Sequence, residues 1–497
     1  MIQGLSPYII LGVVIGYFLV LMLVSYFTSR NADNQDFFIA GRQSPWLLVA
    51  IGMIGASLSG VTFISIPGVV GAGGANQAFS YMQMVFGYLL GYLVIATVLL
   101  PLYYRMNLTS IYGYLEERFG YFSYKTGAGF FLLSRIIGAS FRLYLVAIVL
   151  QSFVMDAFGV PFFLTVIIAI LLIWVYTFQG GIKTIVWTDT LQTVCMLTAV
   201  VLTIFGIGHA LNEDVSGLIF QIQQSDYSQM FFFEGGWSDP NNFFKQFISG
   251  ALIAIVMTGL DQDMMQKNLS CRTLGDAQKN MFTFSVILIF ANLLFLSLGA
   301  LLYIYAANIG IAIPEKTDEL FPLIALQHLS PTVGIIFILG LIAAAYSSAD
   351  SALTSLTTSF CVDFLDFEKG EKEETEQKQT RFRVHVGFSI LLLILILIFN
   401  AVSNDSVITQ VFKAAGYTYG PLLGLYSFGM LTKLQVRDRF VLPICLLAPI
   451  VSFFINLYSA ELLGGFEFGF MIIALNGFLT FMGLLAISEP RYETEEV

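Results

Sequence analysis

The chain has 497 residues, of which 57% are hydrophobic and only 11% are charged, and its mean hydropathy is +0.80. Soluble globular domains carry about 25% charged residues, so this composition excludes them and indicates a polytopic integral membrane protein. The formal charge of −10 comes from acidic residues spread over loops and tail, and no basic cluster suggests a nucleic-acid partner.

Apolar runs long enough to cross a bilayer recur along the chain. A helix needs about 20 predominantly apolar residues to cross a hydrocarbon core ~30 Å thick. The first run follows MIQGLSP, which lacks the basic region of a signal peptide, so we expect a retained helix. The sequence therefore predicts an all-α membrane protein with about thirteen transmembrane helices, near residues 8–28, 46–71, 77–103, 126–155, 161–180, 185–210, 242–264, 280–306, 331–362, 384–401, 406–431, 438–458 and 466–487.

Basic residues predict the orientation of these segments. With the N-terminus outside, eighteen of the 23 Lys and Arg residues, Lys267 among them, fall in cytoplasmic stretches, and only Lys316 falls in an outside stretch. Cytoplasmic loops carry an excess of Lys and Arg. We therefore expect a multi-pass protein of the plasma (inner) membrane with an outside N-terminus and a cytoplasmic C-terminus.

Two segments contain residues that interrupt a transmembrane helix. Residues 46–70 combine Gly and Pro with several hydroxyl residues, and five segments later residues 243–265 carry Gly250 and Gly259 before a polar end. Small residues can simply allow close helix packing, but unwound helices at matching places in two halves also free carbonyls that hold ions and substrate. The spacing predicts two five-helix repeats. The corresponding units are 1–45 (first helix and cytoplasmic loop), 46–211 (first repeat), 212–241 (outside loop), 242–432 (second repeat) and 433–497 (two helices and cytoplasmic tail).

A stripe of small and hydroxyl residues follows one face of segment 331–362. Its members, at helical spacing, are Ala344, Ser347, Ser348, Ser351 and Ser355. Hydroxyls suit a hydrated site within the protein, and hard cations such as sodium prefer oxygen ligands. Asp350 lies within reach of this face. Asp189, near the cytoplasmic start of segment 185–210, is either a functional carboxylate or a solvated charge at a helix end.

Two arginines lie within segment 126–155. Arg135 and Arg142 are two helical turns apart and face the same way. A charge at the centre of a membrane helix costs at least about 2.5–3.5 kcal/mol, so we expect Arg142 to face a water-filled cavity or a carboxylate. That carboxylate belongs either to an anionic substrate or to the protein, and the sequence leaves both open. Phe79 and Gln83, one turn apart in segment 77–103, are candidates for an aromatic wall and an amide, although packing also explains Phe79.

The sequence contains no pattern that indicates catalysis. Neither an HExxH sequence, a GxSxG nucleophile elbow nor a Walker-type phosphate loop is present. The four cysteines show no paired spacing that would indicate a disulfide framework or a zinc site. We therefore do not expect an enzyme.

Several motifs, taken in chain order, resemble the sodium:solute symporter family, whose members transport proline, sugars, sialic acid, pantothenate, iodide or monocarboxylates. They are DFFIAGR (36–42), SIPG (65–68), LTSIYGYLEERFG (108–120), QGGIKTIVWTDTLQ (179–192), DQDMMQKNLS (261–270), AAAYSSADS (343–351) and GPLLGLYSFGML (420–431). The resemblance implies a LeuT-like inverted repeat of five plus five helices, with one helix before the core and two after it. This agrees with the pattern of interruptions.

The resemblance also implies binding sites. By position, the main sodium site comprises the carbonyls of Gly55, Leu58 and Ala344 and the hydroxyls of Ser347 and Ser348. Some members hold a second sodium ion, and the matching residues here are Asp189, Ser351 and Ser347, with Asp350 added to what is otherwise a serine stripe. The matching substrate wall comprises Ser57, Ser59, Thr62, Phe79, Gln83 and either Arg135 or Arg142.

The expected function is that of a sodium-coupled secondary active symporter that imports a small organic solute by alternating access. The leading candidate is a carboxylate such as sialic acid or a monocarboxylate. The expected partners are the solute, the sodium ion and the lipid bilayer, without an obligate protein partner. The alternatives are a neutral sugar, amino acid or vitamin as solute, proton coupling, or a transporter-like sensor.

Overall fold

Helices dominate the computed structural model, which describes residues 7–29, 34–74, 76–177, 181–367, 373–402 and 407–490. Residues 1–6 of the predicted first unit and residues 491–497 of the predicted tail lie outside the described residues. Helices are expected here because a segment in lipid must satisfy its own backbone hydrogen bonds.

The described helices fall into two halves separated by the loop of residues 212–241. Those before the loop, and one within it, are α1 (Pro7–Thr28), α2 (Asn34–Ile39), α3 (Trp46–Val69), α4 (Tyr81–Val94), α5 (Leu100–Arg105), α6 (Gly113–Arg118), α7 (Tyr121–Phe153), α8 (Phe162–Thr177), α9 (Gly181–Leu211) and α10 (Val215–Gln224). Those after it are α11 (Phe243–Ala254), α12 (Gln262–Leu269), α13 (Leu274–Ile309), α14 (Leu320–Leu323), α15 (Pro331–Ser359), α16 (Glu374–Val402), α17 (Val407–Thr418), α18 (Gly420–Leu431), α19 (Val441–Leu457), α20 (Ser459–Leu462) and α21 (Ile472–Ala486). Two short strands, β1 (Gln435–Val436) and β2 (Ser488–Glu489), pair antiparallel.

Ten helical segments within the described residues are long and apolar enough to cross a membrane, or eleven when a bent pair counts as one span. The ten are Tyr8–Thr28, Trp46–Val69, Tyr81–Arg105, Tyr121–Ser152, Gly181–Leu211, Leu274–Ile309, Pro331–Phe364, Thr375–Ala401, Asp438–Leu457 and Gly469–Ala486. The prediction of an all-helical, multi-span protein is confirmed. The count of thirteen spans and the repeat arrangement remain predictions.

Both segments that the sequence marks as interrupted are broken. In α3, Ser59 leaves the helical conformation with φ 45° and ψ 173°, a region that non-glycine residues rarely adopt. In the second segment, Phe243–Gly259 and α12 meet at a bend of 63°. Asp261 caps α12 by accepting hydrogen bonds from the backbone N–H groups of Asp263 and Met264 at 2.9 and 3.3 Å. Breaks of this kind leave carbonyls and N–H groups without partners in their own helix.

Small residues allow the central helices to approach closely. A Cβ built at Gly250 of α11 would lie 2.1 Å from the carbonyl oxygen of Met84 in α4, and one built at Gly340 of α15 would lie 2.4 Å from the Cβ of Ala199 in α9. For Gly250, close packing is therefore a sufficient reason for the glycine. These contacts pack α4 against α11 and α9 against α15.

Candidate functional site

The break in α3 lies against the hydroxyl stripe of α15. A Cβ built at Gly55 would lie 3.2 Å from Ser347 Oγ, and Ser348 Oγ donates a hydrogen bond to the carbonyl oxygen of Ala56 at 3.3 Å. A helix break leaves nearby carbonyls available to partners outside their own helix, as the Ala56 carbonyl is here. The structure thus brings carbonyls of the α3 break and buried serine hydroxyls together.

A carboxylate on α9 orients one of these hydroxyls. Ser347 Oγ donates its hydrogen bond to Asp189 Oδ1 at 2.9 Å. Because that proton is committed to Asp189, the lone pairs of the serine oxygen remain available to a cation. Leu58 and Ala344, whose carbonyls complete the predicted set, are 2% and 1% exposed. This donor set consists of neutral oxygens, which suits a hard cation such as sodium.

The residues expected at a second sodium site are engaged with other protein groups. Lys267 Nζ donates to Asp189 Oδ2 at 2.7 Å. Asp350 accepts hydrogen bonds from the hydroxyl of Tyr176 at 2.8 Å and from the backbone N–H of Ser351 at 2.5 Å. Ser351 Oγ lies 3.0 Å from the carbonyl oxygen of Ser347 and 3.2 Å from Asp263 Oδ2 in α12, both within hydrogen-bonding distance.

Lys267, which the sequence assigns to a cytoplasmic stretch, is a buried residue. The residue is 1% exposed and lies in α12, the second half of the bent pair. The sequence offered a signal that was missed, because an ionisable residue next to an interrupted apolar segment is a candidate for a buried functional charge. Its partner lies 78 residues away, which no local spacing reveals.

A cavity of about 80 Å³ lies beside the α3 break. From α3 it is lined by Ser57, Ser59 and Thr62, three of the residues predicted to contact the solute. Helices α4, α7, α13 and α17 and both parts of the bent pair, Phe243–Gly259 and α12, supply the other walls. The cavity therefore meets both broken helices.

The two arginines of α7 line this cavity but differ in their partners. Arg135 forms an ion pair with Asp263, and a second carboxylate oxygen, of Asp261, lies 3.9 Å from its guanidinium. Asp261 also accepts a hydrogen bond from the hydroxyl of Tyr419. Among the described residues, no carboxylate oxygen lies within 4 Å of the Arg142 guanidinium. The sequence left open whether a carboxylate of the protein or of an anionic substrate pairs with these arginines. A protein carboxylate pairs with Arg135, whereas Arg142 presents a cation to the cavity.

Phe79 and Gln83 are not among the described residues that line the cavity. Gln83 donates to the carbonyl oxygen of Asn241 at 2.8 Å and accepts from the backbone N–H of Phe232 at 3.0 Å. The backbone N–H of Phe79 donates to the carbonyl oxygen of Gln229 at 3.0 Å. Both residues therefore anchor the loop of residues 212–241 to the start of α4.

Three tyrosines of α4 line the cavity and were not predicted. They are Tyr81, Tyr88 and Tyr92. The hydroxyl oxygens of Tyr81 and Tyr88 lie 2.9 Å apart. Their spacing of i, i+7 and i+11 places them on one helix face, and this was the available signal. They give the cavity an aromatic wall with hydroxyl groups.

Comparison with known proteins identifies the family. Residues 37–435 match the sodium:solute symporter family. The chain belongs to this family. It is 26% identical over 424 residues to the sodium/sialic acid symporter NanT of Aliivibrio fischeri, covering 82% of this chain and 80% of the relative. It is 25% identical over 434 residues to the sodium/sialic acid symporter SiaT of Proteus mirabilis, covering 85% and 84%. It is 24% identical over 407 residues to the human sodium/iodide cotransporter, covering 80% and 61%.

Solved structures support the same fold. A Na⁺-coupled sialic acid symporter, captured in a substrate-bound outward-open state, superposes with a TM-score of 0.82 at 20% identity and covers 97% of this chain and 99% of its own. Mhp1, a nucleobase-cation-symport-1 family transporter in a closed conformation, superposes with a TM-score of 0.54 at 12% identity, covering 90% and 92%. This member of the sodium:solute symporters is thus a multi-pass membrane protein with a LeuT-like transporter fold. It couples the transport of a small solute to sodium.

Proposed function

We propose that the protein imports a small anionic solute, a carboxylate, together with sodium. The observation that carries this proposal is Arg142, a cation in the wall of the cavity with no carboxylate oxygen within 4 Å among the described residues. A buried membrane charge is retained where it serves a partner or a hydrated path. Several relatives carry anions according to their names, namely sialic acid, iodide and monocarboxylates.

The size of the cavity favours a short carboxylate. A volume of about 80 Å³ holds several water-sized groups. A monocarboxylate of a few carbon atoms is closer to this size than sialic acid, a nine-carbon sugar acid.

Sodium would bind at the α3 break, held by the carbonyls of Gly55, Leu58 and Ala344 and the hydroxyls of Ser347 and Ser348. This position joins α3 to α15. Ser57 and Ser59, which line the cavity, belong to the same break, so an ion that orders the break also orders the solute wall. The solute must then tighten sodium binding by the factor by which sodium tightens solute binding.

Alternating access in this protein would rest on thirteen spans in two inverted repeats, 46–211 and 242–432. The thirteen spans would be the ten long helices, the bent pair, α8, and α17 joined with α18. The broken α3 and the bent pair take the first position of each repeat, which supports the arrangement. The N-terminus would lie outside and the C-terminus in the cytoplasm.

Thermal unfolding of the purified protein tests the solute class. The panel comprises lactate, pyruvate, sialic acid, a neutral sugar, proline and a vitamin, each in sodium and in potassium. A ligand of the native state raises the apparent stability, so a carboxylate should raise the unfolding temperature in sodium and not in potassium. A shift produced only by neutral solutes would refute the anion assignment, and equal shifts in potassium would refute sodium coupling for that solute.

A further inference from the structure

The ion pair between Lys267 and Asp189 lies where a second sodium ion was expected. The ammonium nitrogen is 2.7 Å from Asp189 Oδ2, and the two side chains are 2% and 0% exposed. Asp263 and Asp350 also act electrostatically on this ammonium. A fixed positive charge thus sits among three buried carboxylates on α9, α12 and α15.

The expected second site already holds a positive charge and several hydrogen-bond donors, which disfavours a sodium ion there. Both oxygens of Asp189 are engaged, one by Lys267 and the other by the hydroxyl of Ser347. Both oxygens of Asp350 are engaged as well, by Tyr176 and by the backbone of Ser351. A sodium ion placed on Asp189 would also meet the ammonium at short range, and in a site shielded from water that repulsion is strong.

We propose that the ammonium of Lys267 takes the place of the second sodium ion, so that the protein binds one sodium ion per chain. The ammonium neutralises Asp189 and offers hydrogen-bond donors to a carboxylate. Since it is tethered to α12, it requires no ion from solution. This inference rests on the proposed sodium site at the α3 break.

The role of the ammonium can be separated from that of the side-chain stem. K267M and K267Q keep most of the stem and remove the charge, which leaves Asp189 buried beside free space and without a counter-charge. A sodium ion can then occupy the vacated position and use the released oxygen. K267R keeps a cation at this position and is the matched control.

Equilibrium binding of ²²Na⁺ to the purified full-length protein, without solute, tests the proposal. We expect one ion per chain for the wild type and for K267R, and two for K267M and K267Q. S348A, which weakens the site at the α3 break, should lower the affinity for one ion in both backgrounds without changing the affinity for any other. In the double variant K267M/S348A, the ion bound at Asp189 should therefore keep the affinity that it has in K267M.

The outcomes separate this inference from the proposed function. Two ions bound to the wild type, or one ion bound to folded K267M or K267Q, would overturn the role of Lys267 and leave the main site intact. No saturable sodium binding to the wild type would overturn both. If neither neutral variant folds, the number of sodium ions bound per wild-type chain decides. One ion would support the proposal and two would refute it.

Discussion

Replacing Gly55 by alanine should weaken sodium binding by disturbing the contact between α3 and α9. The new Cβ would lie 2.3 Å from Thr193 Oγ1, about 1.1 Å inside ordinary contact. Thr193 cannot turn away without cost, because its hydroxyl bonds the carbonyl oxygens of Ile51 and Asp189 at 2.9 and 2.7 Å. Overpacking a close contact costs about 1–3 kcal/mol. If α3 moves to relieve this overlap, the sodium site loses binding free energy. A loss of about 2 kcal/mol corresponds to about 30-fold weaker sodium binding.

Sodium-binding isotherms of purified G55A measure this loss. G12A is the control, because nothing lies within 4 Å of a Cβ built at Gly12 of α1, and it should bind sodium as the wild type does. In G55A/T193A the clashing oxygen is gone, and the nearest remaining contacts, Ser347 Oγ and Thr193 Cβ, are at 3.2 and 3.3 Å. The double variant should therefore recover most of the affinity. Unchanged sodium affinity in folded G55A would refute the placement of the sodium site at this contact.

The remaining predictions concern the hydroxyl stripe and the arginines. Ser348→Ala removes one sodium ligand and should weaken sodium binding about tenfold or more, since interactions with charged groups contribute about 1.5–3 kcal/mol. An unchanged sodium-binding isotherm would show that Ser348 is not part of the site. Arg142→Gln should raise the KM for a carboxylate at least about tenfold. Arg142→Lys should raise it less, since only the glutamine removes the charge. Equal uptake by the wild type and both variants would contradict the solute assignment. Asp263→Asn leaves the buried Arg135 with only the more distant carboxylate of Asp261, 3.9 Å away, and should destabilise the protein by up to about 3–5 kcal/mol in thermal unfolding. Adding Arg135→Gln should recover part of this loss. A single variant as stable as the wild type would show that the pair does not hold the structure.

The sequence predicts well the features that depend on local spacing. Apolar runs mark the long helices, and the cluster of glycine, proline and hydroxyl residues around Ser59 marks the broken helix, because both follow from what a segment in lipid requires. The stripe containing Ser347 and Ser348 follows from helical periodicity alone. These residues do lie against the α3 break.

Features that depend on contacts between distant segments could not be predicted. Arg135 and Arg142 have equivalent positions on one helix face, and only the fold shows that Asp263 pairs with Arg135. Lys267 reaches Asp189 across 78 positions in the chain. Likewise, only the fold shows that Gln83 bonds the loop of residues 212–241 while the tyrosine face of α4 lines the cavity.

The central claim is that a sodium gradient drives import of a carboxylate bound at the α3 break and Arg142. Its most direct test is uptake of radiolabelled lactate, pyruvate and sialic acid into proteoliposomes, with an inward sodium gradient or with potassium in its place. The account predicts accumulation of at least one of these anions above its external concentration in sodium only, and loss of that accumulation in R142Q. Accumulation that is independent of sodium, or that survives in R142Q, would contradict it.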